Sequence, residues 1–104
     1  MRQVLVRYRV KPEHVAENEA RVRAVYDELE RTGPTGFRYS TFKQDDGVSF
    51  VHLALVSEDG ANPLAAVEAF QRFQEGIRDR CDEPPVVAEL STVGAYRFPD
   101  GVTV

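Results

Sequence analysis

The feature that most constrains this chain is a hydrophobic period that switches twice from two residues to about 3.6, with a tight turn between the two rounds. Val4, Val6, Tyr8 and Val10 share one side of an extended segment and Leu5, Arg7 and Arg9 the other, so residues 4–10 read as a strand. Lys11-Pro12-Glu13 ends it, because proline suits a first helical turn and an acid there complements the positive end of a helix. Val15, Val22, Val25, Tyr26 and Leu29 then recur at helical spacing, opposite Glu17, Arg21, Arg23, Asp27 and Glu28, which predicts a helix over residues 12–31.

Thr32-Gly33-Pro34-Thr35-Gly36 breaks that helix, and residues 37–43, rich in Phe, Tyr, Thr and Ser, read as a second strand. Asp45-Asp46-Gly47 supplies a hairpin turn into a third strand over residues 48–56. There Val51, Leu53 and Leu55 form one face, and Phe50, His52, Ala54 and Val56 the other. After a loop at residues 58–61, Asn62 and Pro63 look like a cap and first helical residue. Leu64, Val67, Phe70, Phe73, Ile77 and Cys81 predict a second helix over residues 63–80, closed by Pro84-Pro85. Residues 86–98 read as a fourth strand with a bend at Gly94, and Pro99-Asp100-Gly101 leads into a tail.

The order β, α, β, β, α, β with right-handed crossovers predicts a ferredoxin-like α+β fold. Its four-stranded antiparallel sheet runs fourth, first, third, second, with both helices on one face. At 104 residues the whole chain is expected to form one domain, residues 1–104. The helices are expected to cover Val4, Val6, Tyr8, Val51, Leu53 and Leu55. The other face would then carry Leu5, Phe50, Ala54 and Val56 among Arg7, Arg9 and His52, too apolar for a bare sheet and too polar for an ordinary core. A second sheet from an identical chain resolves that conflict, so a homodimer or larger homo-oligomer is expected.

Composition narrows the partners. A net charge of −4 without a basic run argues against nucleic acid. The single cysteine, Cys81, permits no intrachain disulfide and no multi-cysteine metal site, and its place at the end of an apolar stripe suggests packing. Arg2 and Arg7 interrupt the opening apolar residues and no run reaches membrane length, which leads to an expectation of a cytoplasmic protein with no membrane partner. The two histidines, His14 and His52, are far apart in sequence and form no metal-ligand spacing with a carboxylate beyond the surface run at Glu13 and Glu17, so no metal is expected. Neither a glycine-rich phosphate loop nor a nucleophile elbow is present.

Val6-Arg7-Tyr8-Arg9-Val10-Lys11-Pro12, Gly36-Phe37-Arg38-Tyr39 and Phe70-Gln71-Arg72-Phe73 resemble the dimeric α+β barrel superfamily, and most of all its antibiotic biosynthesis monooxygenase branch. The resemblance spans residues 4–98. It implies two sheets facing each other and a cleft in each subunit, where several members oxidise polyphenolic rings with oxygen and without metal or organic cofactor. With no Trp in the chain and no His in the second helix, the pattern of haem-degrading relatives is absent.

On the inferred strand order, Arg7, His52 and Glu89 come near each other on the cleft side, in a register-dependent way. In a cofactor-free oxygenase acting on a small aromatic molecule, a neutral His52 serves as base toward a phenol. Arg7 stabilises the phenolate or a peroxide anion, and Glu89 orients the imidazole. Arg9, Tyr39, Phe50 and Tyr96 are the candidate substrate contacts. A non-catalytic reading stays open beside this one: Arg7, Arg9 and Glu89 form ion pairs across the dimer, His52 is a satisfied interface residue, and the chain binds a small ligand or serves a structural role.

Overall fold

Four strands and the helical segments between them follow the order expected from the hydrophobic periods. The computed structural model describes residues 2–58 and 62–98. Strands β1 (Arg2–Val10), β2 (Phe37–Lys43), β3 (Ser49–Val56) and β4 (Cys81–Leu90) form one antiparallel sheet in the order β2-β3-β1-β4, as predicted. Helix α1 (Val15–Thr32) follows a 3₁₀ turn at Pro12–His14 and ends at Gly33, whose left-handed backbone lets its N–H bond the Leu29 carbonyl at 2.8 Å. The β2–β3 hairpin is held by Asp46. Its carboxylate accepts from the Val48 and Ser49 amides and from the Ser49 hydroxyl, which holds its pKa down at about 2.

The second helical region is not the single helix over residues 63–80 that the spacing predicts. A 3₁₀ turn at Pro63–Ala66 is followed by two short helices, α2 (Glu68–Gln74) and α3 (Ile77–Arg80). Asn62 caps the 3₁₀ turn as expected, its side chain accepting from the Leu64 amide. The breaks are tertiary in origin. Val67 is extended, and the Glu28 carboxylate of α1 takes the Glu68 and Ala69 amides at 3.1 and 2.9 Å, starting α2 afresh from outside the segment. At the other end Gly76 adopts φ +71°, and the Arg80 guanidinium bonds the freed carbonyls of Phe73 and Glu75 at 2.7 and 2.8 Å.

The fourth strand is also displaced from the expected residues 86–98. It begins at Cys81 and ends at Leu90, with Pro84 and Pro85 inside it. A strand tolerates proline where no ladder bond is asked of its nitrogen. β4 is an edge strand paired only with β1, and the prolines fall where the register slips, between Arg7↔Val86 and Arg9↔Glu83. Gly94 therefore lies beyond the strand. Residues 59–61 of the loop expected at 58–61, and the tail from residue 99 onward, lie outside the described residues.

The core between helices and sheet gathers Tyr8, Val10, Val22, Val25, Phe50, Leu64, Val67, Ala69, Phe73 and Cys81. One face assignment is reversed. Register pairs Tyr8 with Phe50, Val6 with His52 and Val4 with Ala54, and directly opposed residues point the same way. Phe50, His52 and Ala54 therefore lie under the helices, and Val51, Leu53 and Leu55 lie on the face with Gln3, Leu5 and Arg7. Both faces of β3 are apolar enough to go inside, and only the pairing register selects between them.

Candidate active site

Tyr8 of β1, His52 of β3, Thr41 and Tyr39 of β2, Asn18 and Tyr26 of α1 and Arg80 of α3 meet between helices and sheet. The two-residue period of β1, β2 and β3 turns their four side chains to the helix side, in a row fixed by the pairings Val6↔His52 and Thr41↔His52. Asn18 enters from above because it occupies the apolar stripe of α1, four residues before Val22 and seven before Val25.

These groups form one hydrogen-bonded chain. The His52 Nε2 lies 2.7 Å from the Tyr8 hydroxyl, and its Nδ1 lies 2.6 Å from the Tyr39 hydroxyl and 2.9 Å from that of Thr41. Beyond Tyr8, the Asn18 amide donates to the phenol oxygen at 3.0 Å and accepts from Arg80 at 3.4 Å. Beyond Thr41, the Tyr26 hydroxyl completes the chain at 2.8 Å. His52 is also clamped by rings, with Tyr8, Tyr39 and Phe73 centroids at 5.3, 5.7 and 5.5 Å.

Burial governs the protonation states. His52 is 4% exposed, and desolvation lowers its pKa to about 4, so the ring is neutral at pH 7. The same cause raises the Tyr8, Tyr39 and Tyr26 phenols above their ordinary range, so all three keep their hydrogens. The chain ends at two small cavities along the α1–β2 edge. One, of about 260 Å³, is walled by Tyr26, Tyr39, Phe37, Leu29 and the Gly33-Pro34 turn. The other, of about 250 Å³, is walled by Tyr26, Thr41, Phe50, Val22 and the charged groups Glu19, Arg23 and Lys43. Each falls just below the usual small-molecule range, which begins at roughly 300 Å³.

Of the residues expected at a site, the structure brings together His52, Tyr39 and Phe50 and separates the others. Arg7 pairs with Val51 and so points away from His52, and both Arg7 and Arg9 meet Glu83, at 3.7 and 3.0 Å. Glu89 bonds Arg2 at 2.7 Å near the end of β1 and does not orient the imidazole. Arg7 and His52 are apart because β3 presents its other face, whereas Glu89, opposite Val4, lies on the His52 side of the sheet but toward its Arg2 end, away from both. Tyr96 is 81% exposed beyond β4, against Arg97. Phe50 is core, stacked on Tyr8 at 5.6 Å, and also walls the smaller cavity. His14 bonds Glu17 on the helix surface, and Cys81 is buried.

From the sequence, Asn18, Tyr26, Thr41 and Arg80 carry no site assignment, and Tyr8 reads only as core. For Asn18 a signal existed, a lone amide in the apolar stripe 18, 22, 25, 29. Arg80 had none, since its burial depends on the break at Gly76. Among the described residues no cluster of three or more His, Cys, Asp or Glu side chains is placed to hold a metal, and no helix is long and apolar enough to cross a membrane.

No family model matches the sequence, and no curated protein matches it either. Solved structures do. An antibiotic biosynthesis monooxygenase superposes with a TM-score of 0.72 at 22% identity, covering 90% of this chain and all 100% of the other. The Mycobacterium tuberculosis protein Rv0793 gives 0.71 at 16% identity, covering 90% and 96%. SnoaB of Streptomyces nogalater, a cofactor-independent oxygenase, gives 0.67 at 16% identity, covering 93% and 97%. With its strand order and helices, the chain thus has the ferredoxin-like α+β fold of the antibiotic biosynthesis monooxygenase-like proteins.

Proposed function

We propose that this chain, as one domain, is a cofactor-independent monooxygenase-like enzyme that acts on a small phenolic aromatic at the α1–β2 edge. The observation that carries the reading is the buried, neutral His52 bonded on one side to Tyr8 and on the other to Tyr39 and Thr41, residues that also line the two cavities. The likeness to a cofactor-independent oxygenase supports it at the level of fold. The role we propose for His52 is to hold the Tyr39 and Thr41 hydroxyls in place. A ring with both nitrogens engaged and a pKa of about 4 is a weak base at neutral pH.

For an anthrone-like substrate, the methylene carbon loses a proton to solvent and its electron pair passes to the ring oxygen. Tyr39 and the Thr41–Tyr26 pair stabilise the negative charge there. Oxygen takes electrons from this anion and bonds the carbon, giving a hydroperoxide once protonated. Cleavage of its O–O bond, with loss of the remaining C–H proton, yields a ketone and water. Both oxygen atoms and all four electrons are thereby accounted for, and no cofactor enters. Oxygen uptake with anthrone-like or quinol substrates tests the reading. Tyr39→Phe is expected to lower the rate about tenfold or more, and turnover unchanged in both Tyr39→Phe and His52→Ala would exclude the site.

The saturation of both His52 nitrogens favours a second reading, a non-catalytic module that binds a small aromatic ligand. Ligand binding without oxygen uptake would decide for it.

We further propose a homodimer through the sheet face away from the helices. Across the strands that face presents Phe42, Val51, Arg7 and Val86 in one row, Ser40, Leu53, Leu5 and Ala88 in the next, and Arg38, Leu55, Gln3 and Leu90 in a third. Phe42, Val86 and Leu90 are 55%, 67% and 40% exposed, so the face is apolar at both edges and along Val51, Leu53 and Leu5, with Arg7 and Gln3 on its central strand. A second copy related by a two-fold axis covers it and adds a facing sheet.

A further inference from the structure

The hydrogen-bond chain through His52 has a direction, and its origin is Arg80. A guanidinium only donates. Arg80 is 4% exposed and anchored on the Phe73 and Glu75 carbonyls and over the Phe73 ring. Its Nη2 faces Asn18 at 3.4 Å, so the Asn18 amide turns its oxygen to Arg80 and its nitrogen to Tyr8. The Tyr8 oxygen thereby accepts one hydrogen bond and keeps one hydrogen to give. Its remaining partner is the Nε2 of His52 at 2.7 Å. If Nε2 carried a hydrogen instead, the Tyr8 hydrogen, on a side chain 1% exposed, would face no acceptor among the described residues. Nε2 is therefore bare, and the single hydrogen of the neutral ring sits on Nδ1, where it meets Tyr39 and Thr41.

We propose that Arg80 and Asn18 are positioning residues that lock His52 in the Nδ1–H tautomer, turning the outer hydroxyl hydrogens of Tyr39 and of the Thr41–Tyr26 pair toward the α1–β2 edge as donors. The site then recognises a ligand through an acceptor oxygen, as on a ring ketone, a quinone or a phenolate. The ligand class rests on the function proposed above; the tautomer does not.

Long-range ¹H–¹⁵N correlation spectra of the full chain at pH 7 decide the matter, with His14→Gln assigning the other ring. His52 is expected to show a protonated Nδ1 and a bare Nε2, and the opposite pattern overturns the proposal. In Asn18→Asp the carboxylate accepts from both Arg80 and Tyr8, so Tyr8 turns its hydrogen away and the tautomer inverts to Nε2–H. An unchanged Nδ1–H form in that variant overturns the assignment to Asn18 and Arg80. Should a buried carboxylate prevent folding, Asn18→Leu leaves the Tyr8 hydroxyl free to rotate. Both tautomers are then expected, and a single unchanged one overturns the proposal. A soluble hydroxyanthraquinone is expected to bind Asn18→Asp at least tenfold more weakly than wild type, or Asn18→Leu, with its mixed tautomers, about twofold more weakly, and equal, measurable affinity overturns the acceptor-oxygen part. Absent oxygen uptake with the expected tautomer removes only the monooxygenase reading, whereas the wrong tautomer removes this one whatever the uptake.

Discussion

At the residue scale, His52 ties function to stability. Burial lowers its pKa from 6.5 to about 4, so between these values the unfolded chain binds more protons than the folded one. The contribution is fully present above pH 6.5 and is lost as the pH falls toward 4. From pH 6.5 to 5 the loss is about 1.6 kcal/mol, since the unfolded imidazole is only half protonated at pH 6.5 and the slope reaches about 1.4 kcal/mol per unit only below it. Urea unfolding of wild type and His52→Gln at both pH values checks this, since the variant lacks that increment; equal slopes would mean that the imidazole is not desolvated in solution. Seen in the sequence alone, His52 was one of four residues on a mixed strand face. The network around it was not legible, because Tyr8, Thr41, Asn18 and Arg80 come from four different elements and meet only through register and helix placement.

At the element scale, local signals failed where a distant group intervened. Leu64 to Cys81 carries a helical stripe, yet Glu28 from α1 caps a new helix at Glu68 and Gly76 takes a left-handed turn that lets Arg80 fold back. Gly76→Ala places a Cβ at φ +71°, only 3.8 Å from an Arg80 nitrogen, so the cost is backbone strain more than collision. A loss of about 1–2 kcal/mol is expected in thermal or urea unfolding. Glu28→Gln weakens the cap without changing side-chain size, and the Glu68 and Ala69 amides are expected to exchange faster with deuterium while those in the middle of α1 do not. Pro84-Pro85 reads as a helix stop, but α3 already ends at Arg80 and the prolines lie inside an edge strand, at the slip in its ladder.

At the scale of the whole molecule, the question is what covers the sheet face away from the helices. Phe42 and Val86 are more than half exposed, at opposite ends of one row, and a charge at both positions strikes both halves of a two-fold interface. Sedimentation of the wild-type chain at micromolar concentration is expected to show a dimer, and Phe42→Glu combined with Val86→Glu a monomer. A wild-type monomer would remove the partner sheet.

The periods of two and 3.6 residues, the breakers between them and the short hairpin determined the first three strands and the first helix, because each depends on neighbours within a few residues along the chain; the order of the sheet followed from the succession of elements and the handedness of their crossovers. Only the tertiary structure decided which face of β3 lies inward, where β4 begins, and which polar groups His52 meets. Both faces of β3 are apolar, so no local preference separates them. The choice was made by a pairing register between strands more than forty residues apart.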